Sequence, residues 1–221
     1  MPGIRRRALV DLDAFRANLS DDVLDARADA FGHGLAVIAP VAVAAGVRDV
    51  VVSDDRDAAV AVAAGFAPGA VRIDREASGA SDAAYGLAGS GRSVLSVVGE
   101  VVALKRVDRD AGVSYGYTYR TPAPTTLALV ALGYADGVPR LASNRAQVLV
   151  GGARHPLVGR IAMDQFVLDV GDATVELGAD AVLFGDPERG EPSALDWATW
   201  TERTPLALTA GLAARVIREA R

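Results

Sequence analysis

Hydrophobic and polar positions divide the chain into two patterns. Over residues 8–74, segments with helical spacing alternate with short apolar runs. Leu9, Leu12, Phe15 and Leu19 recur at helix-compatible intervals behind Asp11, a side chain suited to an N-cap. A short strand over 23–27 is expected next, then the turn Phe31-Gly-His-Gly34, then an apolar helix over about 35–45. Asp49-Val-Val-Val-Ser53 reads as a buried strand. Asp54 and Asp55 open a helix over 56–64 that stops at Gly65, and 70–74 forms a further strand. Repeated β–α units of this kind predict a parallel sheet, here of about three strands.

Residues 75–92 (REASGASDAAYGLAGSGR) are rich in Gly, Ala and Ser and predict a linker. Gly86, Gly89 and Gly91 resemble a phosphate loop only superficially, because no strand leads in and no helix pattern leads out. From Ser93 the pattern turns to β. Strands are expected over 94–107, 126–133, 147–150, 154–158, 161–170 and 181–184, with Gly151-Gly152 as a hairpin turn. Helices over 196–203 and 206–220 close the chain. The organisation expected is α/β plus all-β, with residues 1–92 as one unit and 93–221 as a compact antiparallel β domain.

Composition narrows the function classes. A formal charge of -5 and a pI near 5.1 leave no basic footprint for nucleic acid. The chain has no cysteine, which removes disulfides and thiolate metal sites and fits a cytoplasmic protein. Only Ala8, Leu9 and Val10 follow the basic start before Asp11, too short a core for a signal peptide. The run from Leu35 to Val47 contains Pro40 and is too short to span a bilayer, so no membrane association is expected. His33 and His155 are isolated, which makes a poor metal case. Asp11 and Asp13 read as helix-capping residues rather than a cation pair.

Several motifs occur in a telling order: Val10-Asp-Leu-Asp-Ala-Phe15, Arg27-Ala-Asp-Ala-Phe-Gly-His-Gly34, Ala84-Tyr-Gly-Leu87, Gly112-Val-Ser-Tyr-Gly116, Leu132-Gly-Tyr-Ala-Asp-Gly137 and Val158-Gly-Arg-Ile-Ala-Met-Asp-Gln165. Together they resemble the alanine racemase family, over essentially all of 93–205 and again over about 10–74. The resemblance implies a (β/α) barrel, truncated here, followed by the family's C-terminal β domain. It implies pyridoxal phosphate as cofactor and the interconversion of L- and D-alanine as reaction.

The same resemblance assigns positions. Arg27 stands where the family's imine lysine is expected, and a guanidinium stays protonated and cannot attack an aldehyde. Phe31 and Leu206 stand at positions of phosphate-contacting tyrosines, each without the hydroxyl. Tyr115 matches the tyrosine base that one subunit contributes to its partner's site. Tyr134, Arg160, Met163 and Asp164 match positions at the substrate entrance. The only lysine, Lys105, lies in an ordinary strand pattern.

The reading that follows is an alanine-racemase-like protein without independent racemase activity. An alternative is a non-catalytic partner that pairs with a full-length racemase through its β domain. A third is a working racemase using Lys105 or an assembly of several chains. The expected partners are a small amino acid such as alanine, if any substrate, and either a second copy or a full-length racemase. A shortened barrel also leaves an unpaired sheet edge unless something covers it.

Overall fold

The computed structural model describes residues 3–75, 83–87, 89 and 91–221. The chain opens with strand β1 (Arg6–Val10) and helix α1 (Leu12–Asn18). Asp11 caps α1, its carboxylate accepting from the Ala14 N–H at 2.8 Å. Then come β2 (Val23–Asp25), the single turn α2 (Arg27–Phe31) and α3 (Leu35–Ala44). β3 (Asp49–Val52), α4 (Asp55–Ala63) and β4 (Val71–Ile73) complete this part. Asp54 caps α4 through the Asp57 N–H.

Strands β2, β3 and β4 form a parallel sheet in that order. Val50, Val51 and Val52 are all buried, as expected of a central strand covered on both faces. An eight-stranded barrel needs every edge paired. Here β2 and β4 are the outer strands of a three-stranded sheet.

The β half begins with the long strand β5 (Leu95–Val107). The small ribbon β6 (Gly112–Val113) and β7 (Tyr119–Arg120) follows, then β8 (Thr125–Val130), β9 (Gln147–Val150), β10 (Ala153–Val158), β11 (Phe166–Gly171) and β12 (Asp180–Phe184). β12 pairs with both β9 and β5, so β5, β8, β11, β10, β9 and β12 close into an antiparallel ring. Alternation explains the barrel's core: along β11, Phe166, Leu168 and Val170 are buried while Val167 and Asp169 are half-buried. Helices α5 (Ala194–Thr201) and α6 (Pro205–Ala210) follow, with the fully buried Trp197 on α5. The chain returns as β13 (Ile217–Ala220).

The antiparallel β domain and the remnant of parallel β–α units match the fold class expected from sequence. Three elements differ. β1 is a strand, paired antiparallel with β5 and parallel with β13. Its alternation is only five residues long, and Leu9 also fits the helical pattern that follows. The helix expected over 206–220 ends at Ala210, and 217–220 is strand because β1 offers it a partner. The strand expected over 161–170 starts only at Phe166, since Ala162 and Met163 instead accept from the N–H groups of Tyr134 and Ala135. Half of the expected linker, residues 76–82 with 88 and 90, lies outside the described residues.

Candidate functional site

The glycine turn carries an unusual backbone. Ala28, Asp29, Ala30 and Phe31 have φ of 52°, 54°, 54° and 48°, a left-handed turn made without glycine. Left-handed helical conformation costs roughly 1–2 kcal/mol per residue with a Cβ, so the surroundings must hold it. Ser53 Oγ accepts the Ala28 N–H at 2.8 Å, and Asp29 Oδ1 accepts the Leu35 N–H at 2.8 Å. Gly32 ends the turn against α6, where a Cβ would overlap the Thr209 carbonyl oxygen. Only glycine permits that approach.

Arg27 is locked within this framework. Its Nε donates to Asp25 Oδ1 at 2.9 Å and its terminal NH2 to Oδ2 at 2.6 Å, a bidentate pair. The two side chains are 15% and 9% exposed. The carboxylate raises the Arg27 pKa further, chiefly through that hydrogen bond. Asp25 is itself held from behind, because its carbonyl accepts the Tyr85 hydroxyl at 2.6 Å.

Tyr85 is fully buried, with ring centroids 4.6 Å from His33, 5.5 Å from Phe31 and 6.0 Å from Phe15. Burial raises the Tyr85 pKa and pushes His33 down to about 4. His33 Nδ1 faces the carbonyls of Ala30 and Phe31, so the neutral ring donates from that nitrogen. Its Nε2 has no hydrogen-bond partner among the described residues. Arg218 closes the back of the turn, donating to the carbonyls of Gly32, Leu212, Ala213 and Val216. Phe31 and Leu206 are half-buried and pack against the core.

A second cluster lies on the β half. Tyr115, in a 3-10 turn after β6, is 74% exposed; Met163 is 54% and Tyr134 40% exposed. With Arg140, Arg160, Ile161 and Ala162 they line one shallow pocket of about 300 Å³. Gly133 makes this assembly possible, since a Cβ there would overlap the Met163 carbonyl oxygen. The Arg140 guanidinium sits 5.5 Å from the Tyr134 ring centroid. Asp164 is tied instead to Arg215 at 2.7 Å, and Arg215 also holds the buried Asp136 at 2.6 Å.

The structure therefore gathers Tyr115, Tyr134, Arg160 and Met163 around one opening, with Asp164 engaged beside them. Arg27, Phe31 and Leu206 belong to the glycine-turn region. The cavity there is lined by Ala28, Asp29, Leu35, Arg56, Asp57 and Arg218, among others. Lys105 is exposed on β5 opposite Leu127. Sequence reasoning missed Asp25, Ser53 and Tyr85. Two of them were accessible in principle, because alternation along the strand expected over 23–27 places Asp25 and Arg27 on one side, and Tyr85 stands within the motif Ala84-Tyr-Gly-Leu87. No group of three His, Asp or Glu positioned for a metal occurs among the described residues. Nor is any described helix long and apolar enough to cross a membrane.

Comparison with known proteins decides the family. The family described as "Alanine racemase, C-terminal domain" matches residues 94–220. This chain belongs to the alanine racemase family. The alanine racemase of Thermobifida fusca is 53% identical over 107 residues, which are 48% of this chain and 29% of that protein. That of Frankia casuarinae is 46% identical over 136 residues, 62% of this chain and 34% of that one. The matched stretch thus spans about a third of these relatives.

Among solved structures, alanine racemase from Streptomyces lavendulae superposes with a TM-score of 0.88 at 23% identity, covering 100% of this chain and 98% of that one. The Bartonella henselae racemase, solved with covalently bound pyridoxal phosphate, gives a TM-score of 0.81 at 19% identity, covering 100% of both chains. These two likenesses establish the fold.

Alanine racemase family members use pyridoxal phosphate, and the residues present here do not fit it. A covalently held aldehyde needs a deprotonatable amine. At position 27 there is a guanidinium with one edge committed to Asp25. Phe31 and Leu206 carry no polar group for a phosphate, and both side chains pack against the core.

Proposed function

We propose that this chain is an alanine-racemase-fold protein without racemase activity of its own, in which the cofactor imine does not form. The observation that carries this reading is the bidentate Arg27–Asp25 pair at the imine position, both side chains nearly buried. Phe31 and Leu206 support it from the phosphate side. The arrangement has become structural: Asp25 neutralises Arg27, and Tyr85 braces Asp25 from the core. Residues 1–92 are read as the barrel remnant with its linker, and 93–221 as the β domain. The protein is read as cytoplasmic.

A second reading is favoured by the exposed cluster on the β half. Tyr115, at 74% exposure, presents its phenol away from its own fold, next to Met163, Tyr134 and Arg160. Large exposed aromatics grouped at one opening mark an interaction face. In this reading the chain pairs with a full-length racemase and lends Tyr115 to that partner's alanine site.

One assay separates the two. The purified chain, with pyridoxal phosphate and L-alanine, is expected to form no D-alanine. Mixed with a full-length racemase, it leaves activity unchanged under the first reading. Under the second it alters activity in a way that Tyr115→Phe abolishes. D-alanine formation by the chain alone would overturn both.

A further inference from the structure

Arg140 and Arg160 line the Tyr115 opening as two exposed guanidiniums with no carboxylate partner among the described residues. The negative charges nearby are already engaged. Asp164 beside the opening pairs with Arg215 at 2.7 Å, and buried Asp136 holds both Arg215 at 2.6 Å and Arg6 at 3.3 Å. Those two carboxylates and two guanidiniums cancel. Arg140 and Arg160 therefore stand as local excess positive charge on a chain whose net charge is -5. No acidic residue lines the pocket that they share.

The backbone beneath them is fastened from both sides. Arg140 opens a 3-10 turn (Arg140–Ala142), and the Ser143 hydroxyl after it donates to the Arg140 carbonyl at 2.7 Å. The same Ser143 oxygen accepts the Ile161 N–H at 3.1 Å, and Asn144 Oδ1 accepts the Gly159 N–H at 2.6 Å. Arg160 is thus gripped on each flank by the two residues that follow the Arg140 turn. Gly159, at φ 74°, permits the fit, since a Cβ there would stand 2.9 Å from the Val113 carbonyl oxygen. Arg140 lies over the Tyr134 ring, and Arg160 rests beside Gly116. A guanidinium stacked by its face keeps its N–H edge free, and that edge matches a carboxylate or phosphate. Groups held in place this way lose little freedom when an anion arrives.

A second hollow of about 330 Å³ adjoins the first and shares Tyr115 and Ala162 with it. Tyr117, Leu129, Gln165 and Val167 add to its lining, which includes no Asp, Glu, Lys or Arg. Charge is therefore confined to one end of the paired hollows, and the other end is neutral and largely apolar.

We propose that this opening binds a small organic anion bearing an aromatic or other apolar group. Its carboxylate or phosphate bridges Arg140 and Arg160, and its apolar part lies against Tyr115 and Met163. The site needs neither the cofactor imine nor a partner chain. Free alanine fits it poorly, because the ammonium would lie close to two guanidiniums.

Calorimetric titration of the full chain with phenyl phosphate tests this, with inorganic phosphate, phenol and L-alanine as comparisons. Phenyl phosphate is expected to bind once per chain, about tenfold or more tighter than each of the three, and more weakly as salt is added. Arg140→Gln and Arg160→Gln should each lower that affinity about tenfold or more, by removing a charge-assisted contact. Arg160→Lys, which keeps the charge without the planar fork, should retain part of it. Tyr115→Ala should erase most of the advantage of phenyl phosphate over inorganic phosphate. Arg16→Gln, at an exposed and unpaired arginine on α1, should change nothing. Thermal melts should match the wild type, since neither Arg140 nor Arg160 forms an ion pair within the fold. No binding by the wild-type chain, or binding that survives both glutamine variants, overturns the proposal. Equal affinity for inorganic and phenyl phosphate overturns it as well, leaving charge attraction alone. Alanine binding as tight as that of phenyl phosphate and dependent on Arg160 would make the opening an amino-acid site, and also overturn it.

Discussion

The glycine turn and the Tyr115 face, read from sequence as two parts of one family pattern, stand in opposite states. Around the turn, polar groups other than His33 Nε2 find internal partners: Arg27 in Asp25, the Ala28 N–H in Ser53, the Leu35 N–H in Asp29, and the carbonyls near Gly32 in Arg218. Around the other opening Tyr115, Met163 and Tyr134 stay exposed, while Asp164 beside them is tied to Arg215. The difference is one of chemistry. A guanidinium beside a carboxylate makes a strong pair that occupies both groups, whereas an exposed phenol costs the fold little.

The largest expected effect compares their cores. Phe166 is buried at 1% exposure inside the closed β ring. Phe166→Ala should cost about 3–5 kcal/mol in urea unfolding. If the three-stranded remnant melts separately, Ile38→Ala on α3 will lower only a first transition and leave the second in place. Coincident transitions would mark one cooperative unit.

The next prediction concerns pH. The folded pKa of His33 is about 4, against an ordinary 6.5. A depressed folded pKa means the unfolded chain binds the proton first as pH falls. The stabilisation is complete above about 6.5 and is lost progressively as pH drops toward 4. The loss should be on the order of 3 kcal/mol. It should flatten over that window in His33→Gln, as read by unfolding midpoints at stepped pH.

Arg27→Ala comes third. Removing a charged partner from nearly buried Asp25 should cost roughly 1.5–3 kcal/mol. A neutral result would show the pair to be idle and would reopen the position as a site. Smallest of all, Tyr115→Phe should change stability by less than about 0.5 kcal/mol, because an exposed hydroxyl contributes little to the fold. A large loss would make Tyr115 structural and remove the contrast.

Much of this was legible in the sequence, for identifiable reasons. Asp11 and Asp54 announced helix starts, and the Val50–Val52 run announced a central strand, because capping and burial are local. The motifs around Tyr115, Leu132 and Val158 placed Tyr115, Tyr134, Arg160 and Met163 in one family pattern, and they do share an opening. What stayed hidden is non-local. β1 is a strand because it finds β5 and β13, and β13 because it finds β1, all far apart in the chain. The left-handed turn at 28–31 has no glycine within it to signal it; Ser53 holds it from a distant strand end and Gly32 closes it. Arg27 reads as a lost lysine in sequence, and its pairing with Asp25, braced by Tyr85, is visible only in three dimensions.

The central claim is that no cofactor imine forms in this chain. Incubation with pyridoxal phosphate, borohydride reduction and intact mass with peptide mapping test it directly. The account predicts no adduct beyond slow labelling of the exposed Lys105 or the terminal amine, unchanged by added alanine. A single stoichiometric adduct at Lys105 that alanine discharges would contradict it, and would return this chain to the working racemases.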